Sequence, residues 1–291
     1  MKRPREFFDL ADADMLNGEA RGQPGIVGSG AIRSTWGNLG DWHTVATYPA
    51  ACAALASRLG RAAGLTAADR VFDAGFGCGD QLQMWWDDFG VRELAGANLS
   101  VAQTARARAR MASRLASIDA DAGRVLVQGD AVRVLAAQPE ASRDVVMALD
   151  CAYHFHTRQQ FFAKAARAVP AGGRLALADI VVGDGARSMV RRARLGVVAQ
   201  VSRMPAANLV TTARYRRQLA DAGWRLRHWD DITTAVFAPF RHWLDQYRVS
   251  ADAPSAAASQ WWKYQVTAST LLWAQRHDVL RFVICVAERS A

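Results

Sequence analysis

Apolar positions along the chain follow two rhythms that alternate. The stretch "PAACAALASRLGRAAG" (49–64) sets Ala and Leu on one helical face and arginines opposite, the pattern of a helix with one buried side. Gly64 is placed to stop it. Short, nearly continuous apolar runs follow: "RVFDAGFG" from residue 70, "RELAGANLS" from 92, "GRVLVQGDA" from 123, "DVVMALDCA" from 144 and "GGRLALADIVV" from 172. Strands covered on both faces read this way. Between them, "DQLQMWWDDFG", "VAQTARARARMASRLA" and "RQQFFAKAARAV" predict helices, the second capped by Ser100. Regular alternation of strand and helix predicts an α/β fold with a mostly parallel sheet.

After about residue 185 the rhythm changes. Helical stretches "ARSMVRRARLGVVAQ" and "TTARYRRQLADAG" lead to a strand, "WRLRHWDDI". Tryptophan-rich helical sequence runs from about 235 to 277, and "VLRFVICVAER" closes the chain as a last strand. Open α/β sheets bind ligands where strands end and the order reverses, so these late helices are expected to cover that end.

Composition narrows the class. Of 291 residues, 51% are apolar, enough for a sizeable core. No apolar run reaches 18 residues, so no membrane-spanning helix is expected. The start, "MKRPREFFDLADADML", is basic but broken by Asp9, Asp12 and Asp14, unlike a secretory signal. Cys52, Cys78, Cys151 and Cys285 lie far apart, which suits neither a metal site nor a disulfide framework and fits a reducing cytoplasm. The net charge of +9 is almost all arginine. GC-rich coding accounts for that as well as a polyanionic partner does, so charge assigns no partner.

The sharpest local feature is "VFDAGFGCGDQ" (71–81), with Gly75, Gly77 and Gly79 behind Asp73. Such a turn lets backbone approach a ligand closely. A dinucleotide would want glycine where Asp80 stands, and a phosphate loop would want a lysine and a hydroxyl residue. A phosphate-bearing cofactor is therefore disfavoured. S-adenosylmethionine carries no phosphate, and Asp73 suits its cationic amino group, directly or through water.

This stretch resembles the D-x-G-x-G-x-G signature of class I S-adenosylmethionine-dependent methyltransferases. "GANLSVAQ" resembles the small-molecule branch that includes sterol, tocopherol and cyclopropane-forming enzymes. It puts Asn98, with Leu99 and Gln103, where the family more often has an acid on the ribose. "VQGDA" resembles the adenine-binding strand end, with Asp130 and the Ala131 amide. "ALDCAYHFHTR" resembles the fourth-strand end, with Asp150 and then Tyr153 and His154. "RAVPAGGRLALAD" resembles the stretch before the fifth strand.

The resemblance implies a Rossmann-like sheet of seven strands, mostly parallel, with the last antiparallel and a helical cap over the site. It divides the chain into an N-terminal helical cap (1–65), a cofactor-binding core (66–185), helical lid segments around a sixth strand at about 223–232 (186–278), and the final strand (279–291). It also implies S-adenosyl-L-methionine as cofactor and a small-molecule acceptor.

Methyl transfer is a direct displacement, in which the protein aligns the partners and excludes water. His154 is the candidate base, its ordinary pKa range suiting proton removal, and Tyr153 shares that role or binds the acceptor. Nucleic-acid targets are disfavoured, because "LDCAYHF" lacks the proline that base-modifying relatives carry there. Cys151 reads as a small buried thiol.

Oxygen or nitrogen is the expected acceptor atom, with carbon left open. The tryptophans suit an aromatic or apolar acceptor. Ten arginines against one acid, Asp221, between 187 and 227 suggest a clamp on an anionic group by Arg191, Arg192 and Arg194. The rivals are an enzyme of this fold that catalyses cyclisation or rearrangement, and a non-catalytic partner subunit.

Overall fold

The computed structural model describes residues 10–17, 34–254 and 258–290. The segment "MKRPREFF" and Asp9 lie outside them. Seven strands form one sheet: β1 (Arg70–Ala74), β2 (Glu93–Asn98), β3 (Leu126–Gln128), β4 (Val145–Leu149), β5 (Arg174–Val182), β6 (Trp224–Asp231) and β7 (Leu280–Arg289). Their order is β3-β2-β1-β4-β5-β7-β6. Neighbouring pairs are parallel except those of β7, which runs antiparallel to both β5 and β6. The order reverses between β1 and β4, and that opens a crevice at their C-terminal ends.

Eleven helices are seen among the described residues: α1 (Leu10–Asn17), α2 (Tyr48–Ala63), α3 (Asp80–Asp87), α4 (Val101–Ala116), α5 (Ala122–Val125), α6 (Ala131–Ala136), α7 (Arg158–Ala168), α8 (Met189–Val201), α9 (Thr212–Asp221), α10 (Thr233–Tyr247) and α11 (Ala258–Arg276). Side chains alternate across the sheet. Ala176, Ala178, Ile180 and Phe282 face a core shared with α2, α3, α4, α10 and α11. Leu175, Leu177, Val283 and Cys285 face a second core shared with α6, α7 and α9.

Local chemistry explains the helix ends. Gly64 adopts φ 62°, and its N–H bonds back to the last turn of α2. Ser100 accepts from the Gln103 N–H and starts α4. The third strand is shorter than its apolar run predicts. Asp121 accepts from the Gly123 N–H and winds residues 122–125 into α5. Asp130 caps a helix, α6, absent from the sequence reading. Among the described residues, no helix is long and apolar enough to cross a membrane.

Residues 34–47 form an irregular strap across the crevice. Trp42 lies against Tyr48 of α2 and against Phe240 and Trp243 of α10, with ring centroids 5.2–6.3 Å apart. Six of the ten tryptophans, Trp36, Trp42, Trp85, Trp86, Trp224 and Trp261, are buried.

Candidate active site

The crevice continues into a cavity of about 770 Å³, and the strap, the ends of β1, β2 and β4, α8 and α11 contribute to its wall. Gly75, Gly77 and Gly79 have φ of 85°, 57° and 90°, a region open to glycine at little cost. Gly75 and Gly77 line the cavity, whereas Gly79 and Asp73 do not. Asp73 is fully buried beneath the turn. It accepts from Gln81 Nε2 (2.8 and 3.0 Å) and from Trp85 Nε1 (2.7 Å), and burial pushes its carboxyl up to about 6. Gln81 and Trp85 are four apart on α3 and so share one face. Asp73 thus fastens the turn to its helix.

Asn98 Oδ1 accepts from the Gly77 N–H at 3.3 Å, and Asn98 Nδ2 donates to Gln103 Oε1 at 3.0 Å. The pair joins the turn to α4, and both line the cavity with Leu99, Asp130 and Ala131. Asp130 Oδ1 accepts from the Arg133 N–H at 2.9 Å.

The strap is tied to the same turn. Thr35 donates from N and Oγ1 to the two oxygens of Asp80 (2.9 and 2.7 Å). Arg110 Nη2 reaches Thr35 Oγ1 at 3.0 Å and Asp80 at 3.3 Å. The sequence reading used Asp80 only to exclude a dinucleotide. Its partners stand 45 and 30 positions away, and no local pattern signals them.

At the end of β4, Asp150 takes φ 55°, an uncommon conformation for a residue with a side chain. Its Oδ2 accepts from the Leu39 N–H of the strap at 2.7 Å and its Oδ1 from the Tyr153 hydroxyl at 2.8 Å. Burial pushes its carboxyl up to about 7. The His154 ring lies tilted against Tyr153, with centroids 4.3 Å apart. Burial pushes its ring down to about 4, against a hydrogen bond to the Arg203 backbone. All three line the cavity. Cys151 Sγ donates to the Ala74 carbonyl at 3.0 Å, and burial holds its thiol far above the ordinary value.

Behind this turn lies a buried polar network that the sequence reading missed. Asn208 Nδ2 donates to the carbonyls of Tyr153 (3.0 Å) and Phe155 (2.7 Å), and its Oδ1 accepts from the Arg158 N–H at 3.1 Å. Arg158 pairs with Asp179 at 3.1 Å.

The lid differs from expectation in two respects. Arg191, Arg192 and Arg194 do not line the cavity, and Arg194 lies over the Trp273 ring at 4.1 Å. Arg203 and Lys263 are the Arg and Lys residues that do line it, and Trp36 and Trp262 the tryptophans. Most tryptophans are instead spent on packing.

Asp80, Asp130 and Asp150 line the cavity together with Gly75 and Gly77. Asp80 is paired with Arg110, whereas Asp150 accepts from two neutral donors, so its carboxylate fits a cationic ligand and opposes a pyrophosphate. Among the described residues, no cluster of His, Cys, Asp or Glu could hold a metal ion.

Residues 72–177 match the family described as methyltransferase domain. Over 215 residues the chain is 28% identical to erythromycin 3''-O-methyltransferase of Saccharopolyspora erythraea, covering 72% of this chain and 67% of that one. Over 194 residues it is 30% identical to 27-O-demethylrifamycin SV methyltransferase of Amycolatopsis mediterranei, covering 65% of each. In fold it is similar to a putative sarcosine dimethylglycine methyltransferase from Galdieria sulphuraria (TM-score 0.70, 14% identity, 87% of this chain and 93% of that one).

Proposed function

We propose that the chain is a class I S-adenosylmethionine-dependent methyltransferase that methylates a hydroxyl oxygen of a bulky, largely apolar natural product in the cytoplasm, a reading supported by the methyltransferase-domain match and the two small-molecule relatives. The cofactor supplies an electrophilic methyl group on a positively charged sulfur. Gly75 and Gly77 let the backbone approach its methionine part, on a turn that Gly79 and Asp73 hold in shape, with Asp150 facing that part. Asn98, Leu99 and Gln103 take the ribose, and Asp130 with the Ala131 amide takes the adenine. Tyr153 and His154 orient the acceptor hydroxyl. Arg203 and Lys263 meet an anionic group of the acceptor at the lid.

One observation carries this reading: a glycine turn lined by acids opens directly into a mostly apolar chamber at Tyr153 and His154. The oxygen acceptor takes support from the two relatives whose names specify O-linked methyl groups. The test is incubation with methyl-labelled S-adenosylmethionine and a panel of hydroxylated macrocyclic and aromatic natural products. The expected result is a labelled methyl ether and stoichiometric S-adenosylhomocysteine. Conversion without label would favour cyclisation or rearrangement, and failure to bind S-adenosylhomocysteine in a calorimeter would remove the cofactor assignment.

Asp130→Ala checks the adenine site. It is expected to weaken S-adenosylhomocysteine binding by about 1–3 kcal/mol through the lost hydrogen bond. It should also cost about 1 kcal/mol of stability, because the cap of α6 goes with it. Unchanged affinity alongside lowered stability would leave Asp130 as a cap alone.

A further inference from the structure

We propose that Asp150, acting through the hydroxyl of Tyr153, receives the acceptor's proton, while His154 stays neutral and ties the catalytic turn to the lid. The inference rests on the proposed methylation of a hydroxyl and assigns the proton route within that site.

The geometry is specific. The left-handed backbone of Asp150 turns its carboxylate to the cavity at the end of β4. Each of its oxygens accepts one hydrogen bond, from Leu39 N–H and from Tyr153 Oη–H. The Tyr153 hydroxyl has already committed its proton to Asp150, so its lone pairs are what it can offer an incoming hydroxyl. The acceptor's proton passes to Tyr153 Oη as Tyr153 gives its own proton to Asp150 Oδ1. The acceptor oxygen uses its electron pair to bond the methyl carbon, and the pair of the broken carbon–sulfur bond stays on sulfur. A carboxylate and a cation thereby become a carboxylic acid and a neutral thioether, so buried charge disappears in the step.

Proton affinities favour the same route. In the chain without ligand the Asp150 carboxyl stands at about 7, far above an ordinary carboxyl, which makes it a stronger proton acceptor than His154. The His154 ring, held at about 4 by burial, is neutral but a weak acceptor, and its hydrogen bond to the Arg203 backbone gives it a structural task at the end of α8. Asp150 is faced by Tyr153 and Cys151 on its own segment, Tyr48 and Cys52 from α2, and Asp179 from β5. The tyrosines and cysteines all have their pKa pushed up and stay neutral at pH 7, and Asp179 is paired with Arg158. Asp150 is thus the group in this set that a nearby cation ionises around neutrality.

The first test needs no acceptor. S-adenosylmethionine and S-adenosylhomocysteine are titrated calorimetrically into the full chain at pH 7, in two buffers of different ionisation enthalpy. The cationic ligand should release more protons than the neutral thioether, because it ionises a carboxyl that burial has pushed up to about 7. Asp150→Asn should abolish its own share of that release, and comparison with the parent cancels exchange by the ligand's amino group. His154→Ala should keep the release. Asn fits the site: its Oδ1 can accept from Leu39 N–H and its Nδ2 can donate to Tyr153 Oη.

Release as large in Asp150→Asn as in the parent, or lost in His154→Ala, overturns the proposal. With an acceptor from the panel, Asp150→Asn and Tyr153→Phe should each lower kcat at saturating cofactor by roughly 10²–10⁴, and Asp150→Asn should also weaken S-adenosylmethionine more than S-adenosylhomocysteine, because a group that the cation ionises contributes to binding that cation. The pH midpoint of kcat should survive in His154→Ala whatever its rate. Parental turnover in Asp150→Asn would overturn the proton route and leave methyl transfer standing. Asp150-dependent proton release in a chain that methylates nothing would instead count against the proposed function.

Discussion

Arg158→Ala is expected to destabilise the protein by about 3–5 kcal/mol, the usual cost of breaking a buried ion pair by removing one partner. Arg158 is 1% exposed and Asp179 is fully buried. The guanidinium donates to Asp179 Oδ2 (3.1 Å), to the Ile180 carbonyl (2.9 Å) and to the Asn208 carbonyl (2.8 Å). It also lies over the Tyr215 ring at 4.5 Å. Truncation leaves Asp179 with the Tyr215 hydroxyl at 3.0 Å and the Ile180 N–H at 2.8 Å, too few to hold an ion in the core.

The carboxyl of Asp179 already stands above its ordinary value, because burial outweighs the attraction of Arg158. Removing the arginine raises it further. A carboxyl whose folded pKa is raised is favoured in the folded state while protonated, and that advantage is lost as pH rises from the unfolded value through the folded one. Arg158→Ala should therefore lose more stability at pH 8 than at pH 5, as urea unfolding at the two pH values would show. An equal loss would mean that Asp179 does not titrate. Activity should fall as well. Arg158 supports Asn208, and Asn208 holds the carbonyls of Tyr153 and Phe155 on either side of His154.

This network marks the boundary of what periodicity reveals. Strands β1 to β5, helix α4, the Gly64 stop and the Ser100 cap all follow from contacts within a few residues, and the sequence displays them. The count of seven strands with the last antiparallel follows from the family resemblance, and the order of the strands from the structure alone, since apolar runs do not say which strands pair. Arg158 reads in sequence as one more charge on an amphipathic helix. Its burial depends on Asp179 and Asn208, 21 and 50 positions away.

Asp73 shows a subtler limit. The acid at the head of the glycines is visible, but its orientation is decided by Gln81 and Trp85 on the face of α3 that returns beneath the turn. The arginines after 187 show the converse. Their number stands out in sequence, yet helical phase directs Arg194 onto Trp273 and leaves the cavity wall to Arg203 and Lys263. An arginine count carries no phase, so the residues it singles out are not the ones on the cavity wall.

Gly75→Ala should abolish the architecture on which cofactor binding depends. Two separate costs combine at this position. The backbone sits at φ 85°, where an added Cβ is strained by about 1–3 kcal/mol. The Cβ would also stand 2.7 Å from Cys151 Sγ and 3.3 Å from Cys151 Cβ, an overpacking worth about 1–3 kcal/mol. Cys151 cannot swing aside at no cost, since its thiol is bonded to the Ala74 carbonyl at 3.0 Å. Relief must come from separating the ends of β1 and β4, which would move Asp150 with its neighbour.

The expected outcome is a loss of about 2–6 kcal/mol in stability and at least a tenfold weaker S-adenosylhomocysteine Kd. Gly77→Ala separates the two costs, because Gly77 has φ 57° but nothing within 4 Å of an added Cβ. Without ligand it should lose only the strain. The pair Gly75→Ala with Cys151→Ala tests the clash itself. Removing the sulfur leaves a contact of 3.3 Å, which a small shift accommodates. The double variant should then recover most of the overpacking cost and depart from additivity by at least about 1 kcal/mol. Strict additivity would mean that the thiol is not what excludes a side chain at residue 75. The turn would then be fixed by backbone conformation alone, and the coupling between the glycine turn and the Asp150 segment would have to run through the β1–β4 pairing instead.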